Sequence, residues 1–516
     1  MTTKRRGSIV AVGTLLAIAG THVFRSPEAK GIDGGGPATL VAQNAAAPGP
    51  VPPPREAVES PPATAPIPEP VPLPGDTPVV GGSNARSIDF TTALRIAGSQ
   101  NPQVGFANQR IAEAYAQLRI ARILWLPAIR AGISYNRHEG PLQTTDGSIT
   151  RVERTALQPG LGMGAVGAGS PAVPGVAIGV RLTDAVCQPR IFGHVVAARE
   201  SAARATVHDL LLSTGLAYLD LLRAYQQQAI AQDTLENAQQ LADLTASFAR
   251  AGQGAQADAD RARVELVLRQ NDLERANEAT QVASTRLVEL LSLDPTQLLV
   301  PAEPTIAAVE LVSRDKSVQE LVSLALRNRP ELAESQQLVG EAIGRMKREQ
   351  YAPLLPSMLL GVSYSDFGGG PDARIDNMSG RFDLDAVMFW EMRGLGLGEA
   401  AARSEARARV CQAEMRKVQV MDRVAREVAE GYAQIRARQK QIVVAQSGIQ
   451  AATDSFRRNY QRIREGQGLP IEALQAIQAL DQARREYLRS VADYDESQFR
   501  LYRAIGCTLS DGYAAF

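Results

Sequence analysis

The sequence predicts a protein that is mainly α with transmembrane β: a duplicated protomer of long antiparallel coiled-coil helices plus two β-hairpins. Three observations carry that expectation. Residues 88–294 and 317–507 follow one plan, two apolar-periodic stretches (192–251 and 398–465) outrun anything a compact domain uses, and each copy holds a pair of alternating apolar and polar segments.

The repetition is explicit in order and spacing. Thr92 to Ala97 precedes Asn101-Pro102, and Leu321 to Leu326 precedes Arg329-Pro330. Leu126-Pro127 leads to Gly132-Ile133-Ser134-Tyr135, as Leu355-Pro356 leads to Gly361-Val362-Ser363-Tyr364. Tyr218 matches Tyr432, Ala231-Gln232 matches Ala445-Gln446, and Gly252-Gln253-Gly254 recurs as Gly466-Gln467-Gly468. One loop is longer in the first copy. The domain plan is an export signal at 1–19, a disordered proline-rich linker at 20–86, repeats at 87–294 and 317–507, a linker at 295–316 and a tail at 508–516.

Lys4, Arg5 and Arg6 precede a short apolar run from Ile9 to Ile18, and Ala17-Ile18-Ala19 fits a small-residue cleavage site. The run is about half the ~20 residues of a spanning helix, although an uncleaved anchor is the alternative. Residues 47–78 are crowded with proline and read as an extended tether or a spacer.

Each repeat then opens on a short helix and a longer one, whose first turn accommodates Pro102 or Pro330. Val104, Ala107, Ile111, Ala114, Leu118, Ala121 and Trp125 step 3 and 4 in turn, a coiled-coil seam. In the second copy Leu332, Val339, Ala342 and Met346 keep the seam, while Ser335 and Glu349 interrupt it. Next, Ile129, Ala131, Ile133 and Tyr135 alternate with polar or small residues, as do Val176, Ile178, Val180 and Leu182. Met358, Leu360, Val362 and Tyr364, then Phe382 and Leu384, repeat this in the second copy. Such hairpins either pack on helices in a soluble protein or face lipid in a barrel. Residues 137–174 and 366–377 are expected as irregular loops. Four strands cannot close a barrel, so the barrel reading requires an oligomer. The long helices, on the order of 90–100 Å, end at the Gly-Gln-Gly turns, whose glycines suit positive φ. Returning helices follow over 256–293 and 471–505, with heptads at Leu480, Tyr487, Tyr494 and Leu501.

Composition excludes other classes. Lys plus Arg and Asp plus Glu are equal at 55, which gives no electrostatic case for nucleic acid. Aromatics at 5% are sparse for a thick core and favour thin helix-on-helix packing. Cys187, Cys411 and Cys507 are scattered, and His22, His138, His194 and His208 lack metal spacing, so no metal or cofactor is expected. Gly368-Gly369-Gly370 reads as a flexible turn, not a phosphate loop. No catalytic constellation stands out and no enzyme is expected.

Taken together, the copies of helix, hairpin and long helical hairpin resemble the TolC family of outer-membrane efflux proteins over about residues 87–508. The repeat-opening pattern Ala93-Leu94 to Asn101-Pro102, the run Tyr218-Leu219-Asp220-Leu221-Leu222 and the turn Arg250-Ala251-Gly252 carry the likeness. The resemblance implies a homotrimer with a twelve-stranded β-barrel in outer-membrane lipid above a twelve-helix periplasmic α-barrel. It implies a porin-like exit duct for efflux or type I secretion, with a periplasmic adaptor at the hairpin tips and an inner-membrane pump or ABC transporter behind it. A coiled-coil periplasmic scaffold or adaptor without a pore is the alternative. The tips are Gly252, Gln253 and Gly254 with Gly466, Gln467 and Gly468. Asp258 and Glu472, six residues after the first glycine of each turn, match the family's acidic tunnel positions; they read either as pore charges or as solvated helix-start charges. Gln475, Gly468 and Ile463 depart from the family's gate pattern. Arg130, Arg181, Arg381, Asp383 and Asp385 are candidates for the barrel lumen, the last three alternatively for ion pairs along the ladder.

Overall fold

The computed structural model describes residues 85–126, 128–129, 131–161, 176–313, 315–372 and 374–510. The export signal, nearly all of the proline-rich stretch, Arg130 and residues 511–516 lie outside the described residues. The first repeat contains α1 (Phe90–Gln100), α2 (Pro102–Arg122), the strands β2 (Ala128–Ile129), β3 (Ala131–Gln143), β4 (Ile149–Leu161) and β5 (Val176–Arg181), then α3 (Leu182–Arg250) and α4 (Gln256–Leu291). The second contains α5 (Val318–Asn328), α6 (Pro330–Tyr351), β7 (Ser357–Pro371), β8 (Ser379–Phe389), α7 (Leu397–Arg464) and α8 (Pro470–Ala504). Two short strands, β1 (Ala85–Ile88) and β6 (Leu298–Pro301), precede the repeats and pair in parallel. β6 falls within the stretch read as the inter-repeat linker, and β1 straddles the expected boundary between the proline-rich linker and the first repeat.

At 69 and 68 residues, α3 and α7 each reach ~100 Å. The shorter helices approach that length, at ~85 Å, by joining end to start: α4 (36 residues) with α2 (21), and α8 (35) with α6 (22). Asn101 caps α2, accepting from the Gln103 N–H at 2.8 Å, while its amide donates to the Leu290 carbonyl at the end of α4 at 2.8 Å. Its repeat counterpart Arg329 donates from Nε to the Ala504 carbonyl at the end of α8 at 2.9 Å. Carbonyls that a helix terminus would leave unpaired are thus satisfied by the helix that continues it.

The order across the helical layer follows from burial. Both α2 and α4 pack on α3, α3 also packs on α6 and α8, and α7 packs on α6 and α8. Accordingly α3 buries residues on several sides, among them Leu210, Leu211, Tyr218, Leu221, Ile230 and Leu241, whereas α7 buries one stripe through Val424, Val428, Ile435, Ile442 and Ile449. The expected α2 seam is buried at Ala107, Ala114, Leu118 and Ala121. Trp125 departs from it: the helix ends at Arg122 and the indole is exposed. Ser335, read as an interruption, is buried with its hydroxyl donating to the Leu332 carbonyl at 2.9 Å.

Where the helical columns meet, polar groups join the repeats. Arg503 on α8 donates to Asp209 on α3 at 2.6 Å and to Glu331 on α6, while Arg329 bonds Glu331 at 3.0 Å and Glu427 on α7. Asp495 and Gln498 on α8 accept from the Val309 and Val312 amides at 2.8 and 3.1 Å, holding the inter-repeat segment as a strand partner would. Burial pushes the Asp495 carboxyl well above the usual range, partly offset by the Val309 N–H.

The sheet is four strands wide, ordered (β2, β3), (β5, β4), β7, β8. β2 pairs with β5, and β3 with β4 above them. Leu161 pairs with Tyr364 and Val176 with Val362, so β4 and β5 lie end to end against β7 with Ser363 between them. The segment 137–161 is therefore hairpin, not irregular loop. Gly368 to Gly370 belong to β7 rather than to a turn; a Cβ on Gly369 would overlap the Thr155 carbonyl of β4. Leu182, read as the end of a strand, opens α3, which runs through Pro189 and starts before the expected Phe192.

Two measurements probe this scaffold. Gly506 has φ +87° at the end of α8, and a Cβ there would lie 2.8 Å from the Asn328 carbonyl carbon. Gly506→Ala is expected to cost roughly 1–3 kcal/mol, read as a lowered thermal midpoint in detergent. Burial raises the Glu331 carboxyl, but the Arg503 hydrogen bond and charge, with the Arg329 charge, hold it net below its usual 4.5. That stabilisation is full above the unfolded value and is lost as pH falls through the folded one. Glu331→Gln is expected to destabilise at about pH 7 by roughly 1–3 kcal/mol, with the deficit shrinking below about pH 4.5; melts of both proteins across that range check it.

Candidate functional site

Among the described residues no group of three or more His, Cys, Asp or Glu could hold a metal. The features that can act on other molecules are the two ends: the helical-hairpin tips and the sheet.

The tips are twins. Gly252 has φ +72° and Gly466 φ +71°, each after the last helical turn. Gly252 N–H donates to the Ala249 carbonyl at 3.2 Å and Gln253 N–H to Phe248 at 2.9 Å. Gly466 donates to Ile463 and Gln467 to Arg462, both at 2.9 Å. These are Schellman closures, which require a left-handed residue at the first glycine. The second glycine is not left-handed. It is small because the chain folds back on itself: a Cβ on Gly254 would sit 3.2 Å from Phe248 Cβ, and one on Gly468 3.0 Å from the Ile463 amide.

Asp258 and Glu472 both stand in the first turn of the returning helix, where a carboxylate favours the helix dipole. Their partners differ. Asp258 pairs with Arg261 of its own helix at 3.2 Å. Glu472 pairs across the turn with Arg462 of α7 at 3.3 Å, and that guanidinium also reaches the Gln467 carbonyl at 3.5 Å. Such exposed pairs contribute about 0–1 kcal/mol. Arg462 is a tip residue that the repeat pattern alone does not single out.

The sheet registers resolve its two faces. Ile129, Val176, Val362 and Leu384 are in line, as are Ile178 with Leu360, Val180 with Met358 and Met388, and Ala131, Leu161, Tyr364 and Phe382. Apart from Leu182, which opens α3, the positions expected to be apolar from the alternation thus share one face by register. Arg181, Arg381, Asp383 and Asp385 hold register positions on the other, aligned with Ser357, Ser365, Ser363 and Gly361. The Arg381 guanidinium lies 5.5 Å from the Phe367 ring centroid.

The apolar face is open. Ile133 is 75% exposed, Tyr364 66%, Phe382 64% and Leu384 62%. A soluble hairpin packing on its helices would bury these, each contributing roughly 1.5–3 kcal/mol. Along β7 the apolar set from Met358 to Tyr364 rises ~20 Å. Above it, Arg137 pairs with Glu153 at 2.7 Å and Glu139 at 3.3 Å. Below it, exposed Trp125, Leu126, Leu354, Trp390 and Met392 lie between strand and helix. An apolar band ~25 Å tall with aromatic borders is the pattern of a strand sheet in a bilayer. No described helix is long and apolar enough to cross a membrane.

Residues 321–507 match the family model described as outer membrane efflux protein. No curated protein sequence matches the chain. Solved outer-membrane channels share the fold. The Campylobacter jejuni CmeC channel is 16% identical with a TM-score of 0.66, over 81% of this chain and 85% of that one. VceC from Vibrio cholerae is 16% identical at 0.66, over 81% and 96%. The open-state Neisseria gonorrhoeae MtrE channel is 17% identical at 0.65, over 86% and 98%.

Replacing Gly252 or Gly466 by Ala is expected to cost about 1 kcal/mol of local stability. Hydrogen exchange of the tip amides, 248–258 or 462–472, should accelerate while the middle of α3 and α7 keeps its protection.

Proposed function

We propose, from the match of residues 321–507 to the outer membrane efflux protein model, that this chain is the exit duct of a tripartite efflux or type I secretion system. It is a passive channel of the outer membrane with a periplasmic helical part, not an enzyme. One observation supports the channel reading above all: an exposed apolar face spanning a sheet whose two edges, β2 and β3 on one side and β8 on the other, are unpaired among the described residues. Three copies of a four-stranded sheet give twelve strands and no edge. Beneath them, α7 and the α2/α4 column are the helical edges of the same protomer, so one rotation closes both layers. Cyclic closure by head-to-tail contacts follows.

In that assembly the tips at Gly252–Gly254 and Gly466–Gly468 meet a periplasmic adaptor, which links the duct to an inner-membrane pump or ABC transporter. Asp258 and Glu472 supply carboxylates at the tunnel entrance, and the Arg181, Arg381, Asp383 and Asp385 positions line the barrel lumen.

The purified protein is expected to run as a trimer in detergent and to give discrete conductance steps in planar bilayers. A monomer without conductance would end the reading. Asp258→Ala combined with Glu472→Ala is expected to weaken cation preference and change single-channel conductance; a channel with both unaltered would remove these two acids from the pore.

A further inference from the structure

We infer that the seam between neighbouring copies repeats the plan of the seam inside each chain, with an apolar clasp replacing its ion pair: Leu397 of one copy seats on Ile120 of the next. This rests on the trimeric reading above and adds to it a specific surface.

Inside the chain, the outgoing edge of the first repeat, β5 and α3, meets the incoming edge of the second, α6 and β7. Two glycines of α6 permit the approach: a Cβ on Gly340 would lie 2.8 Å from the His194 ring, and one on Gly344 2.9 Å from Ile191 Cγ1. At the foot of the sheet the seam is closed by Arg348 and Asp184 at 2.6 Å. The edges left open by the protomer are the same elements of the opposite repeats: outgoing β8 and α7, incoming α2 with β2 and β3.

The duplication transfers the positions. Counted from Pro102 and Pro330, which both open their helices, Gly340, Gly344 and Arg348 correspond to Ala112, Ala116 and Ile120. Counted back from Gly466 and Gly252, Asp184 corresponds to Gly398. Small residues recur where the helices must approach, but the ion pair does not. In its place stand Ile120, 60% exposed, and Leu397, 78% exposed and adjacent to Gly398. Beside them Leu395 is 94% exposed at φ +54°, a conformation that costs an L-residue about 1–2 kcal/mol. A second copy is the occupant that fits, because the Asp184 and Arg348 side chains, at the equivalent place, are only 22% and 30% exposed and bond each other across two neighbouring helices.

The test uses the full-length protein with Cys187, Cys411 and Cys507 replaced by Ala. Leu397→Cys with Ile120→Cys, treated with a short thiol cross-linker, should give covalent dimers and trimers on denaturing gels, whereas either substitution alone should not. Native mass spectrometry runs alongside. Trimers without a covalent ladder would overturn this seam and leave the channel reading intact; monomers would overturn both. A fluorophore on Leu397→Cys that brominated lipid quenches strongly would assign the residue to the bilayer and also overturn the seam. In the unlabelled protein, Leu397→Glu should raise the monomer fraction about tenfold or more, and adding Ile120→Lys should reverse most of it.

Discussion

A peptide N–H or C=O placed in hydrocarbon finds no water, and leaving it unpaired costs several kcal/mol. That constraint organises this protein. The protomer presents a sheet with an open apolar face whose outer strands, β2 and β3 at one side and β8 at the other, have no further strand partner among the described residues. The helical layer ends at the same two sides, with α2 and α4 at one and α7 at the other. A soluble scaffold has no reason to make its strand edges and helix edges coincide. A ring has to.

The reach of the molecule is set by a second economy of unpaired groups. Two helices of ~100 Å are continuous, but their neighbours are assembled from two pieces each. Asn101 and Arg329 bridge those junctions, and they are repeat counterparts that achieve the same contact with different side chains, an amide in one copy and a guanidinium in the other. The arginine carries more: it also enters the charge cluster of Glu331, Glu427 and Arg503, which holds the halves of the chain together. Duplication therefore preserved the junction while one copy took on a further role.

Much of this was legible in the sequence, for identifiable reasons. Heptads on α8 and the α2 seam follow directly from which positions are buried, and the glycine turns mark the helix reversals to within a residue. Alternation identified the lipid-type face because the apolar positions, Leu182 apart, share one side of the sheet by register. The upper hairpin was not legible. Gly140, Pro141, Pro159 and Gly160 together with Arg137, Glu139 and Glu153 erase the alternation of β3 and β4, since those strands rise beyond the apolar band and need no apolar face. The start of α3 was hidden by Pro189, which a helix this long and this well packed tolerates. At the tips, the sequence gives the position of Glu472 but not its link to Arg462, because that contact depends on how the turn folds back. Arg130 falls outside the described residues, and the other lumen candidates are placed by register alone.

The parallel pairing of β1 with β6 has a geometric consequence for everything upstream. Tyr218, whose hydroxyl donates to the Ile88 carbonyl at 3.1 Å, stands about halfway along α3. Chain entering at Ala85 is therefore delivered to the waist of the stalk, ~50 Å from the sheet. Spanning that distance with extended polypeptide takes roughly 15 residues. Any cargo, probe or tether fused ahead of Ala85 would begin its search from mid-height, outside the reach of the bilayer unless its own length supplies it.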